Sequence, residues 1–249
     1  MIRLAFRFLW IILGWTELVL STLPMYLLAY LPKSWLERFY PALFYHWCRV
    51  FVHAVGVDLK LHQKNTRPLP RQYILIANHP SAFEDIGIPA LFPVHSLAKA
   101  EVADWWIVGR ISQAAGTLYV TRESRQSRSD AAEEIIRALA EGKNVALYPE
   151  GGCKGKRLHH SFRYGAFAIS LKTSVPILPV FLHYESQDDF YWPDGVSLPR
   201  KIWDFMITRN NRVNYYLHDA FDPQEFANKE DYMAHVYNCY LAWQSRYLD

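Results

Sequence analysis

The stretch QYILIANHPSAFED, residues 72–85, decides how the chain is read. Its first half, 72–77, is a short apolar run and predicts a buried strand. Pro80 biases His79 away from helical dihedrals, and proline is itself favoured at the first helical position. His79 is therefore expected at the end of a strand, on the lip of a helix. Glu84 and Asp85 follow it, and in a continuous helix they would point well away from the ring. A strand–turn–helix path brings one of them back. There a carboxylate accepts from one ring nitrogen and fixes the tautomer, leaving the other nitrogen to take a proton. The stretch does not choose between Glu84 and Asp85.

Further strands are expected over 118–120, 144–148, 177–182 and 212–218. Between them lie helical patterns. One runs over 130–142, where Asp130 and Glu133 resemble a capping box, Ile135, Ile136 and Leu139 face inward and Gly142 ends the run. Others cover 161–171 and 229–247. Strands separated by helices predict an α/β domain over 58–249, a largely parallel mixed sheet flanked by helices. No internal repeat or low-complexity linker interrupts it.

The front of the chain is different. Residues 8–31 are nearly all apolar, broken by Glu17 and Pro24, which is long enough for a bilayer crossing of about 20 residues. No small-residue cleavage site closes the stretch, so it reads poorly as a signal peptide. Arg3, Arg7, Gly14, Glu17 and Ser21 recur at helical steps as a narrow stripe. A second segment, 33–57, repeats the design, with Arg38, His46, Arg49 and His53 along one face. Two basic amphipathic helices meeting near Pro32 predict an in-plane membrane anchor over 1–57. One spanning helix, or a pair of core helices, is the alternative. Glu17 favours the in-plane form, because a lipid-facing carboxylate is expensive.

The length of 249 residues suits one large domain, or one domain with a small appendage. A formal charge of +3 is too small to argue for nucleic acid, and nine Trp with sixteen Tyr is a composition common at bilayer interfaces. Cys48, Cys153 and Cys239 are odd in number and far apart, which argues against a disulfide framework or zinc site and for a reducing compartment.

The His79 spacing alone is not specific. His53 with Asp58 and His183 with Asp188 repeat it, and both read as ordinary histidines, one on the helical polar stripe and one opening a polar loop. What singles out His79 is a set of ordered blocks: Asn78-His79-Pro-Ser-Ala-Phe-Glu84, then Gly116-Thr-Leu-Tyr119-Val-Thr-Arg122, then Tyr148-Pro149-Glu150-Gly151, then Val175-Pro176-Ile177-Leu178-Pro179-Val180. In these blocks the chain resembles the 1-acylglycerol-3-phosphate acyltransferase family and its wider glycerolipid acyltransferase relatives. The family patterns are Asn-His-x-x-x-x-Asp, Gly-x-x-Phe-x-x-Arg, Phe-Pro-Glu-Gly-Thr-Arg and Val-Pro-Ile-x-Pro-Val. Connecting features agree, with Lys99-Ala-Glu101 ahead of Gly109 and Gly165-Ala166 ahead of the last block.

The resemblance implies an O-acyltransferase of phospholipid biosynthesis. In that family the histidine deprotonates an acceptor hydroxyl, which attacks the thioester of acyl-CoA or acyl carrier protein directly. The thioester is a co-substrate, and no metal or tightly held cofactor is implied. Catalytic roles fall on His79 with Glu84 or Asp85, and substrate binding on Asn78, Gly116, Arg122, Glu150, Gly151 and Lys154. Arginine suits a phosphate because its fork donates two hydrogen bonds. Glu150 holds a hydroxyl or braces its loop. Lys154, Lys156, Arg157 and Arg163 form a basic cluster, open to an acceptor headgroup, a carrier phosphate, anionic lipid or solvent.

Two departures matter. Glu84 stands where the family has aspartate, and Gly152-Cys153-Lys154 replaces Thr-Arg-Ser, removing an arginine used on the acceptor phosphate. Lys154 is a substitute charge, or the acceptor is not a simple lysophosphatidate. No Gly-x-Ser-x-Gly elbow is present, and Cys153 reads as a small loop residue in place of that arginine. The expected acceptor is 1-acylglycerol-3-phosphate. The alternatives are an aminolipid or headgroup-bearing lysophospholipid, or a non-catalytic membrane-binding protein on the same fold, with a hydrolase more distant. The expected location is the cytoplasmic face of a membrane, in bacteria the inner one, with membrane lipid and the lysophospholipid as partners.

Overall fold

The computed structural model describes residues 2–121, 124–153, 155–192 and 195–249. Among these, seven strands form one sheet: β1 (Asp58–Gln63), β2 (Ile74–Ala77), β3 (His95–Lys99), β4 (Leu118–Val120), β5 (Val145–Leu147), β6 (Ile177–Tyr184) and β7 (Arg212–Leu217). Their order across the sheet is β1-β7-β6-β2-β5-β3-β4. Every neighbouring pair is parallel except β6 with β7. The helices are α1 (Ile2–Leu28), α2 (Lys33–Ala54), α3 (Glu84–Leu91), α4 (Trp106–Ala114), α5 (Arg125–Ala140), α6 (Gly165–Thr173), α7 (Gln187–Phe190), α8 (Leu198–Ile207) and α9 (Lys229–Leu248).

Strand β2 lies between β5 and β6 and is buried along its whole length, which explains its unbroken apolar run. Its side chains alternate between two cores. Leu75 and Ala77 face a core shared with α1, α2, α3 and α8. Ile74 and Ile76 face one built with α5, α6 and α9. Burying a side chain of that size contributes about 2 kcal/mol. Because β2 and β5 are parallel neighbours, the loops after them, starting at Asn78 and Tyr148, leave the same edge of the sheet side by side. That carboxyl-end crevice is where open α/β sheets place their ligands.

The α/β layering matches the expectation, and some boundaries do not. Strands β1 and β3 were not foreseen: β1 does alternate, Leu59 and Leu61 between Asp58, Lys60 and His62, and was passed over, whereas β3 has no clean alternation; both are partly exposed. The helix expected from Asp130 starts a turn earlier, capped by Ser124, whose hydroxyl accepts from the Ser127 N–H at 3.1 Å. Asp130 instead accepts from Gln126 on the helix surface. The helix expected from Ser161 begins at Gly165. His183 belongs to β6 rather than to a loop.

The front helices are less detachable than their sequence implies. In α2, Tyr40, Cys48 and Val52 are buried in the same core as the sheet, so this helix is part of the body. Helix α1 packs outside it and leaves Phe8, Leu9, Leu13, Leu20, Leu23 and Leu27 exposed. Residues Phe8–Leu28 are long and apolar enough to cross a membrane. Glu17 is not left to lipid: its carboxylate lies 3.0 Å from His53 Nδ1 on α2.

At the far end of the sheet, His218 stacks on Trp243 at 3.9 Å and 8°. Burial, with help from the Arg246 charge, lowers its pKa from the usual 6.5 to about 4. The folded state therefore holds this ring neutral where the unfolded chain would protonate it. The stability this provides is whole above about pH 6.5 and is lost as pH falls through about 4. His218→Phe keeps an aromatic stack and cannot titrate. In thermal melts at pH 7 and pH 5, the wild type is expected to lose more melting temperature on acidification than the variant.

Candidate active site

Two polar side chains, Asn78 and Glu150, fasten the loop after β2 before any chemistry is possible. Asn78 clamps β6, its Oδ1 accepting from the Leu182 N–H at 2.7 Å and its Nδ2 donating to the Leu182 carbonyl at 2.9 Å. The backbone N–H of His79 donates to Glu150 Oε1 at 2.7 Å, and Glu150 Oε2 accepts from the His159 N–H at 2.8 Å. Glu150 is buried, and burial raises its pKa against the pull of those two amides. Asn78, expected at the substrate, has both side-chain polar atoms on the β6 backbone, and of the two readings kept for Glu150 the geometry fits the bracing one, each oxygen holding a backbone amide.

The path from His79 to its carboxylate is a turn closed by side chains. The Ser81 N–H donates to Glu84 Oε1 at 2.8 Å, Ser81 Oγ accepts from the Phe83 N–H at 3.1 Å, and the same hydroxyl donates to the Phe190 carbonyl at 2.6 Å. Helix α3 therefore starts at Glu84 rather than at Pro80, because these bonds divert the backbone amides of the intervening residues. The result sets Glu84 Oε2 3.7 Å from His79 Nδ1. That is beyond hydrogen-bond range but close enough for the carboxyl oxygen to favour the tautomer with the proton on Nδ1.

Glu84 is fully buried, and burial pushes its pKa well above the ordinary range, offset by backbone amides and the Tyr184 hydroxyl. Tyr184 and Tyr215 lie around it. Their pKa values are raised first by burial and then by the Glu84 charge, so both stay neutral hydroxyls. These tyrosines were missed from sequence. The available signal was a hydroxyl-bearing aromatic at a buried position of each strand, β6 and β7.

The imidazole of His79 stacks on the Tyr148 ring at 4.3 Å and 12°. Its Nε2 lies 3.6 Å from Cys153 Sγ. His79 and Cys153 line a cavity of about 670 Å³ together with Asp85, Lys99, Arg128 and Arg163. A neighbouring apolar recess of about 170 Å³ between α5 and α6, lined by Leu97, Ala131, Ile135 and Ile169, shares Tyr148 and Gly151 with it. Of the two acids after His79, Glu84 stands at the ring and Asp85 in the cavity wall.

The remaining expected residues fall as follows. Gly151 has φ +75°, and a Cβ there would strike the Arg163 guanidinium, so glycine allows Arg163 to lie against this loop. Gly116, expected at the substrate, has φ +78° in the turn from α4 to β4, packs against the His95 imidazole, and is not among the cavity's lining residues. Arg122 and Lys154 lie outside the described residues. Arg128 was not read as a site residue because it sits in a charged run, and Arg163 was read only as one member of a basic cluster open to a headgroup, a carrier phosphate, anionic lipid or solvent. Among the described residues no group of His, Cys, Asp or Glu is arranged to hold a metal ion.

Comparison with known proteins bears out the resemblance and the fold. The Acyltransferase family matches residues 58–183. The chain is 31% identical over 217 residues to the lyso-ornithine lipid O-acyltransferase of Rhizobium meliloti, covering 80% of this chain and 71% of that protein. It is 31% identical over 157 residues to a lysophosphatidylcholine acyltransferase of Drosophila melanogaster, covering 61% of this chain and 29% of the other. It is 27% identical over 115 residues to the 1-acyl-sn-glycerol-3-phosphate acyltransferase of Neisseria gonorrhoeae, covering 46% and 45%. The chain thus spans less than half of the last two relatives. The crystal structure of the 1-acyl-sn-glycerophosphate acyltransferase of Thermotoga maritima superposes with a TM-score of 0.62 at 20% identity, covering 91% of this chain and 94% of that one.

Proposed function

This chain belongs to the acyltransferase family, and on that premise we propose that it moves a fatty acyl group from an acyl thioester onto the hydroxyl of a lysophospholipid, 1-acylglycerol-3-phosphate foremost. The observation that carries the reading is the His79 ring, held between Glu84 at Nδ1 and an open cavity at Nε2. With the proton on Nδ1, the Nε2 lone pair takes the proton of a lipid hydroxyl. The oxygen attacks the thioester carbon, and the carrier, acyl-CoA or acyl carrier protein, leaves as a thiol. The apolar recess beside Tyr148 offers a place for alkyl chain. The exposed apolar face of α1 supports a membrane-bound enzyme whose site meets cytoplasmic thioesters, in a bacterium at the inner membrane.

Lys99, Arg128 and Arg163 in one cavity favour an anionic headgroup. Arg163 packs on Gly151, in the loop that carries Cys153 where family members have arginine, and so offers a guanidinium for the acceptor phosphate. Loss of one charge-assisted hydrogen bond costs about 1.5–3 kcal/mol. Arg163→Ala is therefore expected to raise KM for 1-acylglycerol-3-phosphate about tenfold or more while leaving kcat nearly unchanged. Initial rates over a range of acceptor concentrations check this.

A second acceptor has an observation of its own. Asp85 lines the same cavity and suits an ammonium group, and the Rhizobium relative is named for a lyso-ornithine lipid. The test is purified protein with one labelled acyl-CoA and, in parallel, 1-acylglycerol-3-phosphate, lyso-ornithine lipid and lysophosphatidylcholine. Highest kcat/KM with the first supports the lead reading, and highest with the second replaces it.

A further inference from the structure

We propose that Trp105 and Trp106, where α4 begins, form a membrane-facing portal that admits the lysolipid from the bilayer interface straight into the His79 cavity. The inference rests on the acyl-transfer reading above and adds the route by which the acceptor arrives. Its basis is a change of surroundings between two consecutive residues. Trp105 lines the cavity with His79, Lys99 and Arg128, and its indole stands 6.4 Å from that of Trp192, another wall residue. The Trp192 Nε1 donates to the Val196 carbonyl at 2.8 Å, which fixes that side of the wall. Trp106 is instead 79% exposed.

An exposed apolar side chain standing alone is ordinary, but Trp106 belongs to a contiguous surface. Its ring meets Tyr26 of α1 edge-on at 6.5 Å. Tyr26 and Tyr30 share a hydrogen bond between their hydroxyls at 2.7 Å, and Arg110 of α4 lies over the Tyr30 ring at 4.3 Å. These contacts pin the start of α4 beside the end of α1. On α1, Leu20, Leu23, Leu27 and Tyr30 are exposed at three- and four-residue steps, one stripe that Tyr26 borders. The occupant that fits this surface is the bilayer interface. Residues Phe8–Leu28 are apolar and long enough to cross a membrane, and Trp106 continues their exposed face. Tryptophan and tyrosine, apolar rings with a polar tip, collect at the headgroup level. The route has a physical reason as well. Lifting a lysolipid chain wholly into water exposes every methylene, at a cost that grows with each. A mouth bordered by indoles at the interface keeps the chain in apolar surroundings while the headgroup advances to Lys99, Arg128 and Arg163.

The test delivers the acceptor in two ways to full-length protein bound to vesicles of phosphatidylcholine and phosphatidylglycerol. One acceptor is a long-chain 1-acylglycerol-3-phosphate embedded in the vesicles, the other a short-chain analogue dissolved in the surrounding water. Trp106→Ser is expected to lower kcat/KM for the embedded acceptor about tenfold, the scale of one apolar side chain withdrawn from apolar surroundings. Its kcat/KM for the dissolved acceptor and its sedimentation with vesicles should match the wild type, since α1 still anchors the chain. Trp106→Phe should restore most of the lost rate. In protein containing fluorotryptophan, the fluorine resonance that is missing from Trp106→Phe should broaden when the vesicles carry a headgroup spin label. An unbroadened resonance overturns the portal. So does an equal effect of Trp106→Ser on both acceptors, or loss of vesicle binding, which would make Trp106 a mere anchor. A raised KM for acyl carrier protein, with the embedded acceptor unaffected, also overturns it and assigns the surface to a protein donor. All of these leave the acyl-transfer function standing. Wild-type protein that acylates neither acceptor overturns the function itself.

Discussion

Replacing His79 with alanine is expected to lower kcat for lysolipid acylation about 10³-fold, or about 4 kcal/mol of transition-state stabilisation. The size follows from what the ring does. It is the base whose Nε2 faces the cavity, and its tautomer is supported by Glu84 at 3.7 Å. No neighbouring group replaces it, because Glu84 lies on the far side of the ring and is fully buried. KM for the acceptor should change little, since the cavity's cations are untouched. The fold should survive: the backbone N–H of residue 79 still meets Glu150, and the side-chain loss leaves a small gap over Tyr148. A melting curve beside the rate measurement separates lost chemistry from lost structure. Unchanged activity in a folded His79→Ala protein would favour the non-catalytic reading.

The second large effect is expected at Glu150. Its two oxygens accept from the backbone amides of His79 and His159, at 2.7 and 2.8 Å. Glu150→Gln is nearly the same shape but offers only one acceptor oxygen, and its NH₂ group would confront the other amide. One buried N–H is left without a partner, at a cost of about 1–3 kcal/mol. For a chain of this size the melting temperature should drop by about 2–4 °C for each kcal/mol. The catalytic effect is expected to exceed what that loss implies, because the misplaced amide belongs to the general base. A displacement of about 1 Å at such a group can cost about 100-fold in rate. Thermal melts and kcat measured on the same preparation check both parts. Loss of activity with unchanged stability would mean that Glu150 touches substrate instead.

What the sequence disclosed follows physical lines. Strand β2 was legible because both its faces are buried, so that every residue from Ile74 to Ala77 is apolar. Helix α9 was legible because its cap and its length are local features. Strand β1 was passed over although Leu59 and Leu61 alternate with Asp58, Lys60 and His62, the two-residue period of a half-exposed strand. The start of α3 was misjudged because Ser81 and Glu84 take the backbone amides of that turn, and side-chain bonds of this kind leave no periodic trace.

At the site, His79 and the acid behind it were readable from spacing and from the order of the blocks. The division of labour was not. Asn78 and Glu150 look like substrate ligands in a polar motif, yet their partners are the backbone of β6 and of the 159 loop. Tyr184 and Tyr215 reach Glu84 from β6 and β7, which lie far along the chain from it. Arg163 becomes a cavity residue because the positive φ of Gly151 leaves room for its guanidinium. Cys153 and His79 are 74 residues apart, and only the parallel pairing of β2 with β5 brings their loops together.

The most direct measurement follows one labelled acyl chain from its thioester in the presence of 1-acylglycerol-3-phosphate, counting carrier thiol released against lipid product formed. The expected result is one diacyl lipid for each thiol, with no sustained thiol release when the acceptor is withheld. Sustained thiol release matched by free fatty acid, at the same rate with or without lysolipid, would contradict the account and make this cavity the site of a thioester hydrolase.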